Sequence, residues 1–452
     1  MSTANGLSEQ LSQEDIDESF IRNVLLSRQG FENYNKPLSY KIRPLSTKSF
    51  GLESDLAVID VYNGDGKKKW GFVLKRQKEI PTTKELNERT ADERYTIESK
   101  ILTYLGDLQV IDADKGKRRI ITPEWEGSLD YLLDSVRAHL NLAKATTGEI
   151  GSEVISARDR AFRYVREAMQ SLVSVCTRLT DVREDFERSG VVLGKKSQHE
   201  AATILEKQLR VIVTSCLKDS DQRHQMEMQR ALEERLQPTG DLAQELRTLA
   251  KSLTSKQTII HYDPRTSNFL YKRTIGDKTT QTLPDPDHLK ITLCDFESAR
   301  LGPLGHDLAY FIHDPYLLFL LPHRTDRYHL YKEFVTSALP TLRSNDSDYT
   351  DANPLDSNFD ALCRQTFHKD TIIALIERTA NPLEIEAHNP ALYAQYVGNR
   401  ILEDNKEVLD RNLTWLHNHL NAPQKSFPSI RFIVRKLYDL HHKEHKDASA
   451  YH

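Results

Sequence analysis

Two short polar motifs, each set between apolar runs, constrain this chain more than any other feature. The first is His261-Tyr-Asp-Pro-Arg-Thr-Ser-Asn268, preceded by Thr258-Ile-Ile260 and followed by Phe269-Leu-Tyr271. The second is Cys294-Asp295-Phe-Glu297, preceded by Leu289-Lys-Ile-Thr-Leu293. Brief apolar runs bounded by loop residues predict strands, so Asp263, Asn268 and Asp295 are expected as oxygen donors fixed at strand ends. One carboxylate so placed can orient a hydroxyl, and an amide with a second carboxylate offers hard oxygen ligands to Mg²⁺. Asp and Asn are also ordinary turn residues; the joint spacing of the three favours the site.

Upstream, residues 40–76 read as three consecutive strands, Tyr40–Leu45, Leu56–Tyr62 and Trp70–Lys75. Asn63-Gly-Asp-Gly66 joins the last two as a tight hairpin, because Asn and Gly accept the positive φ it needs. A helix is expected over 88–105, with Ile97, Ile101, Leu102 and Leu105 on one face, and Arg119 to Gly127 as a strand running into a connector. An N-terminal helix is expected from Ser12, its cap, to about Ser27, with Ile16, Phe20, Val24 and Leu25 facing inward.

From Ser128 to Ser255 the pattern is helical. Phe162, Val165, Met169, Leu172, Cys176 and Leu179 form one stripe, and Ile204, Leu205, Leu209, Ile212, Cys216 and Leu217 another. Leu242, Leu246, Leu249 and Leu253 form a third. Such stripes are core rather than ligand sites. Arg183 to Lys196 reads as a loop, and residues 315–452 as mostly helical with a polar break near Ser344 to Asn358. The expected fold class is α+β, two-lobed, with a small antiparallel-sheet N-lobe and a large helical C-lobe. Its divisions are 1–27 (tail and helix), 28–126 (N-lobe, nucleotide-binding) and 127–452 (C-lobe with catalytic loop and acceptor site, helical insertion about 150–240).

Composition narrows the class. The 62 Lys and Arg nearly balance 66 Asp and Glu, a net charge of −4, whereas a nucleic-acid-binding domain is normally basic; no nucleic-acid partner is expected. Four scattered cysteines, Cys176, Cys216, Cys294 and Cys363, give no zinc spacing and suit reduced thiols in the cytoplasm. No apolar run approaches the ~20 residues that span a bilayer, so no membrane partner is expected either. His441, His442 and His445 read as a solvated helix end.

The order H-x-D-x(4)-N, then D-F-x, matches the signature set of ATP-dependent kinases, and other residues fit that chemistry. Lys75 ends the third strand, where its ammonium can neutralise nucleotide phosphates, and Glu98 of the following helix can hold it; Glu93 is the fallback partner. The turn Ser46-Thr-Lys-Ser49-Phe-Gly51 can fold over phosphates through Ser46, Ser49 and the backbone near Gly51. His261 is a brace for the loop. Glu297, sharing a strand face with Asp295, adds a metal or water contact or binds backbone. Asp307, ahead of an apolar helix start, is expected to anchor the catalytic loop by accepting backbone N–H groups.

At these residues the chain resembles the aminoglycoside phosphotransferase and choline kinase superfamily of protein-kinase-like small-molecule kinases. The matching pieces are Phe72-Val-Leu-Lys75, Glu98-x(3)-Leu102-x(2)-Leu105, His261-x-Asp263-x(4)-Asn268, Asp295-Phe-Glu297 and Gly305-His-Asp307-Leu-Ala309. The run Gly302-Pro-x-Gly-x-Asp307 is closest in motif to methylthioribose kinase. The resemblance implies ATP and Mg²⁺, Lys75 on the phosphates, Asp263 as catalytic base and Asn268 with Asp295 on magnesium. It also implies a connector, Glu124 to Gly127 with Trp125, that contacts adenine. Where the family often has Gly, Leu and His, this chain has Tyr262, Pro264 and Arg265. Arg265 places a charge by the reacting centre, favouring an anionic acceptor or an extra phosphate contact. The expected activity is phosphorylation of a small-molecule hydroxyl (sugar, amino alcohol, nucleoside or aminoglycoside-like) by a monomer or homodimer. The alternatives are a pseudokinase that binds nucleotide or a partner, and a kinase acting on a macromolecule.

Overall fold

The structure is a computed structural model. It describes residues 16, 18–26, 37–44, 54–77, 89–147, 152–191, 193–194, 196–218, 220–255, 258–274, 283–317, 319–388, 390, 393–394, 405–421 and 426–449. In chain order its strands and main helices begin with β1 (Leu38–Pro44), β2 (Ser54–Asn63), β3 (Lys68–Gln77), α1 (Ala91–Leu105), β4 (Asp112–Asp114), β5 (Arg119–Pro123) and β6 (Gly127–Ser128). Helices α2 (Leu129–Thr147), α3 (Ser152–Asp181), α4 (Arg183–Arg188), α5 (Gln198–Leu217), α6 (Gln222–Leu236) and α7 (Asp241–Thr254) follow. Then come β7 (Thr258–Ile260), β8 (Phe269–Arg273), β9 (Leu289–Leu293) and β10 (Arg300–Gly302). The chain ends in α8 (Leu304–Ile312), α9 (Arg324–Ser337), α10 (Leu339–Asn345), α11 (Ser357–His388), α12 (Asn405–Leu420) and α13 (Pro428–Ser449). This is the α+β content expected of a protein-kinase-like chain. Two compact units divide it: Met1–Leu193 with Ser267–Ala299, and Gly194–Thr266 with Arg300–His452.

In the first unit a five-stranded antiparallel sheet runs β1-β2-β3-β5-β4. The 63–66 hairpin forms as the sequence predicts. Gly66 sits at φ 70°, its N–H bonds Asn63 O at 2.9 Å, and Asn63 Oδ1 receives the Lys67 N–H at 3.0 Å. Alternation along β3 puts Phe72 and Leu74 into a core with Ala57, Ile59, Val61 and Ile121. It therefore leaves Lys75 and Gln77 on the other face. Helix α1 begins at 91, not 88, because Thr90 is its cap. Thr90 Oγ1 accepts the Glu93 N–H and Glu93 returns the bond to the Thr90 N–H, a capping box. Ile97, Ile101, Leu102 and Leu105 are buried as expected. A second sheet, β6-β8-β9, is also antiparallel and lies in this unit.

The N-terminal segment departs from expectation. Ser12 lies outside the described residues, and the helix is one turn, Glu18–Phe20, continued as a π-helix, Ile21–Leu26. Ile16 and Leu25 are buried as expected, but the wider i to i+5 turn adds Ile21 and Leu26 to the buried set and leaves Phe20 and Val24 half-buried at the edge of the core. The segment 183–196 is not all loop: α4 occupies its start, burying Phe186. Among the helical stripes, Phe162, Ile204 and Leu253 are half-buried and the rest are buried.

Among its described residues the second unit is helical apart from short turns, loops and a two-stranded antiparallel ladder, β7 with β10. Its core joins α5, α6 and α7 to the middle of α11 and to α12 and α13, with Leu205, Leu209, Leu246, Ile372, Ile376, Leu413 and Ile433 among the buried contacts. The polar break near 344–358 falls between α10 and α11. The four cysteines are free thiols. Among the described residues no helix is long and apolar enough to cross a membrane.

Candidate active site

In the first unit the site is built around one ammonium. Lys75 Nζ lies 2.8 Å from Glu98 of α1, 3.3 Å from Glu297, and in direct ion-pair contact with Asp295. Burial by itself would depress the lysine; the carboxylates of Asp295, Glu297 and Glu98 outweigh it and hold Lys75 well above its usual range. Glu98 is 2% exposed. Burial pushes it up to about 7, against the pull of Lys75 and with the help of Asp295 and Glu297. Glu93, the fallback partner, is committed to the capping box.

The β8–β9 hairpin delivers the acidic side. Phe269 pairs with Leu293, and the Cys294 N–H donates to Asn268 O at 2.9 Å, so Asn268 and Asp295 sit at the same end of the hairpin. Asp295 adopts φ 68°, ψ 54°, and a 3₁₀ turn, Phe296–Ser298, follows. Glu297 is thus on a turn, not a strand. The left-handed residue and tight turn bring its carboxylate to the lysine, a contact the expected shared strand face with Asp295 did not include. Oxygens of Glu98, Asp295 and Glu297 lie within 4.8 Å of one another. Such hard oxygen donors fit Mg²⁺, and Asp295, one-third exposed, is the most accessible of them.

Several residues here escaped the sequence reading. Gln77 Nε2 donates to Glu98 at 2.9 Å and to Glu297 at 2.7 Å. Ser54 Oγ reaches Gln77 and Glu297 at 3.3 and 3.4 Å. Arg89 fixes the turn by donating to the carbonyls of Glu297 and Ala299, both at 2.8 Å. The available signal was Gln77's position two residues beyond Lys75 on the same strand face. Nothing local marks Arg89.

The expected phosphate-covering residues Ser46, Ser49 and Gly51 lie outside the described residues. In the connector, Glu124 is paired with Arg43 at 3.0 Å and Lys68 at 2.5 Å, which also share Asp60. Lys290 Nζ lies 6.0 Å from the Trp125 ring centroid. A groove of about 460 Å³ beside α1 and α4, lined by Thr103, Tyr104 and Phe186, includes none of these residues.

In the second unit the loop after β7 hangs between two buried carboxylates. Asp307 accepts the His261 N–H at 2.6 Å and the Tyr262 N–H at 3.0 Å. It lies inside α8, rather than ahead of it, and is fully buried. At the loop's other end Asp314 accepts the Thr266 N–H and hydroxyl, both at 3.1 Å, and pairs with Arg378 at 3.3 Å. His261 is buried, its Nδ1 3.3 Å from the Asp263 N–H. Asp263 is half-buried, and its Oδ1 receives Arg265 Nε at 2.7 Å. That carboxylate raises the Arg265 guanidinium further above its usual range, with the Tyr310 hydroxyl adding to it. Arg265 thus faces Asp263 directly. Asp314 was missed, although it stands one residue past a histidine at the end of α8.

No family model and no curated protein matches this chain. Among solved structures it is similar to an ethanolamine kinase from Plasmodium vivax (TM-score 0.44, 13% identity, covering 88% of this chain and 93% of that one). It is also similar to a choline/ethanolamine kinase family protein from Mesorhizobium loti (TM-score 0.41, 12% identity, 92% and 98% covered). A third is a macrolide 2'-phosphotransferase from Brachybacterium faecium (TM-score 0.33, 12% identity, 84% and 99% covered). None of them is a methylthioribose kinase.

Proposed function

We propose that this chain is an ATP- and Mg²⁺-dependent phosphotransferase of the choline kinase and aminoglycoside phosphotransferase type, moving the γ-phosphoryl group to a hydroxyl of a small molecule. The observation that carries this reading is the buried Lys75–Glu98 pair in contact with Asp295. Isolated surface lysines and glutamates do not assemble this way, and phosphoryl transfer needs a fixed ammonium beside a metal-binding carboxylate. Asn268 and Asp295 would hold magnesium, which when bound supplies positive charge to the phosphate oxygens. Lys75 neutralises the nucleotide's phosphates, and Glu98 with Gln77 keeps its ammonium in place. Asp263 accepts the acceptor's hydroxyl proton as that oxygen bonds to the γ-phosphorus and the bond to the departing ADP oxygen breaks. Arg265, whose Nε donates a hydrogen bond to Asp263, orients that carboxylate and adds positive charge for an anionic group.

The test is acceptor-stimulated ADP release across sugars, amino alcohols, nucleosides and aminoglycosides. At the acceptor that responds, Asp263→Asn is expected to lower kcat by ~10²–10⁴-fold, the usual range for loss of a general base. Turnover unchanged in that variant would overturn the assignment. Nucleotide binding by the wild type without turnover on any acceptor would favour a pseudokinase.

A further inference from the structure

Tyr262, the residue before Asp263, has φ 73°. The left-handed region favours glycine and disfavours a large side chain, and glycine is what the resembling family often has there. In this chain the strained turn is gripped from both ends of the tyrosine. Its N–H donates to Asp307 at 3.0 Å, and its hydroxyl donates to Glu377 of α11 at 2.7 Å.

The two carboxylates are linked by a third group. His306 Nε2 donates to Glu377 at 2.7 Å, and its Nδ1, which makes no hydrogen bond, lies 3.6 Å from Asp307. His306 is fully buried and Glu377 is 3% exposed. Burial would discharge this histidine, but Glu377 and Asp307 push it up to about 10, so it is an imidazolium. The tyrosine ring stacks on His306 at 5.3 Å and 16°. The Arg300 guanidinium lies 3.5 Å from the ring centroid and the Lys196 ammonium 5.8 Å away. Cations over a ring face are attracted to it, so the ring is held by charge as well as by packing.

We propose that Tyr262 is a positioning residue, which through Glu377, His306 and Arg300 locks the left-handed turn that aims the Asp263 carboxylate. Glycine would reach this turn without strain, because it has no side chain to clash at positive φ. This chain uses a side-chain clamp to enforce a conformation its backbone resists. The role rests on the proposed phosphotransferase reading, since the aim of Asp263 matters only if it handles the acceptor's proton.

The experiment compares Tyr262→Phe, Tyr262→Ala and Tyr262→Gly in the full chain by steady-state kinetics and by amide hydrogen exchange without substrates. Tyr262→Phe, which keeps the ring and loses only the bond to Glu377, is expected to lower kcat about 10-fold at unchanged KM for ATP. Tyr262→Ala, with the strain kept and the clamp gone, is expected to lower it about 100-fold, the scale of an ångström-level misplacement. Tyr262→Gly should recover part of that loss. In Tyr262→Phe, exchange at residues 261–263 should rise about 10-fold while the buried middle of α11 keeps its protection. Wild-type kcat in both Phe and Ala variants overturns the proposal, as does unchanged exchange in Tyr262→Phe. If the wild type turns over no acceptor, the phosphotransferase reading fails, and the exchange arm still decides whether the clamp exists.

Discussion

Replacing Lys75 with methionine tests the reading of the first unit most directly. Methionine fills similar space and removes the charge, leaving Glu98, Asp295 and Glu297 with oxygens within 4.8 Å of one another and no ammonium between them. At an effective dielectric constant of about 20, two unit charges that far apart repel by roughly 3 kcal/mol. Asp295 is one-third exposed and screened, so the pair formed by Glu98 and Glu297, 2% and 12% exposed at the side chain, dominates. Breaking a buried ion pair by removing one partner costs about 3–5 kcal/mol, and that is the expected loss near pH 8. The loss depends on pH. Glu98 already stands at about 7 in the intact site, above the ordinary 4.5, and Lys75 is among the influences holding it down. Without the lysine its folded pKa rises further, and a carboxyl with a raised folded pKa favours folding at low pH and loses that contribution as pH rises through the folded value. The deficit of Lys75→Met should therefore shrink to about 1–2 kcal/mol at pH 5, where one proton relieves the repulsion. Millimolar Mg²⁺ should recover part of it at pH 8, because a ligand that binds only the folded cluster stabilises it. Urea unfolding followed by fluorescence suits the measurement, since Trp70 and Trp125 lie in this unit. A deficit below about 1 kcal/mol at both pH values, or one indifferent to pH and Mg²⁺ alike, would refute the charge cage.

Two further outcomes concern the second unit. Asp307→Asn keeps the shape but turns one acceptor into a donor against the His261 or Tyr262 N–H and removes a charge facing His306. It should cost about 3–5 kcal/mol, measured by urea titration, and loss below 1 kcal/mol would deny the anchor. The intact His306, at about 10 against 6.5 unfolded, contributes stability that is complete below pH 6.5 and lost as pH rises towards 10; the variant should flatten that alkaline slope. His313, His368 and His419 behave oppositely, with burial first among the causes that depress them, His368 to about 4. Each stays neutral while its unfolded counterpart charges below pH 6.5, costing about 1.4 kcal/mol per pH unit. His368→Phe should remove about one proton's worth of the acid slope between pH 6 and 5, and an unchanged slope would contradict the buried neutral state.

Local pattern made the strands legible. Alternation along Trp70–Lys75, the Asn63–Gly66 turn and the apolar face of 88–105 each draw on neighbours in sequence, and each formed within a few residues of its expected bounds. The π-helix at Ile21–Leu26 was not legible, because Phe20 and Val24 fit an α-helical stripe and only the sheet's apolar face selects the wider turn. Glu297 shows the same limit: its spacing from Asp295 suggested a shared strand face, whereas a left-handed Asp295 and a 3₁₀ turn carry it to Lys75.

The two charge clusters separate what spacing can and cannot reveal. Lys75 and Glu98 are placed by strand and helix period, so types and spacing suffice to pair them. Gln77 follows from the same period once the lysine's face is known. Glu377 meets Tyr262 across 115 residues, from the interior of a long helix whose local pattern asks only for core. What betrays the partner is an energetic debt visible at Tyr262 itself: a bulky residue stands where glycine is the unstrained choice. A tyrosine in that conformation persists only where surrounding contacts offset the strain. Glu377, His306 and Arg300 supply those contacts, and so the departure at position 262 points to the interactions that make it tolerable.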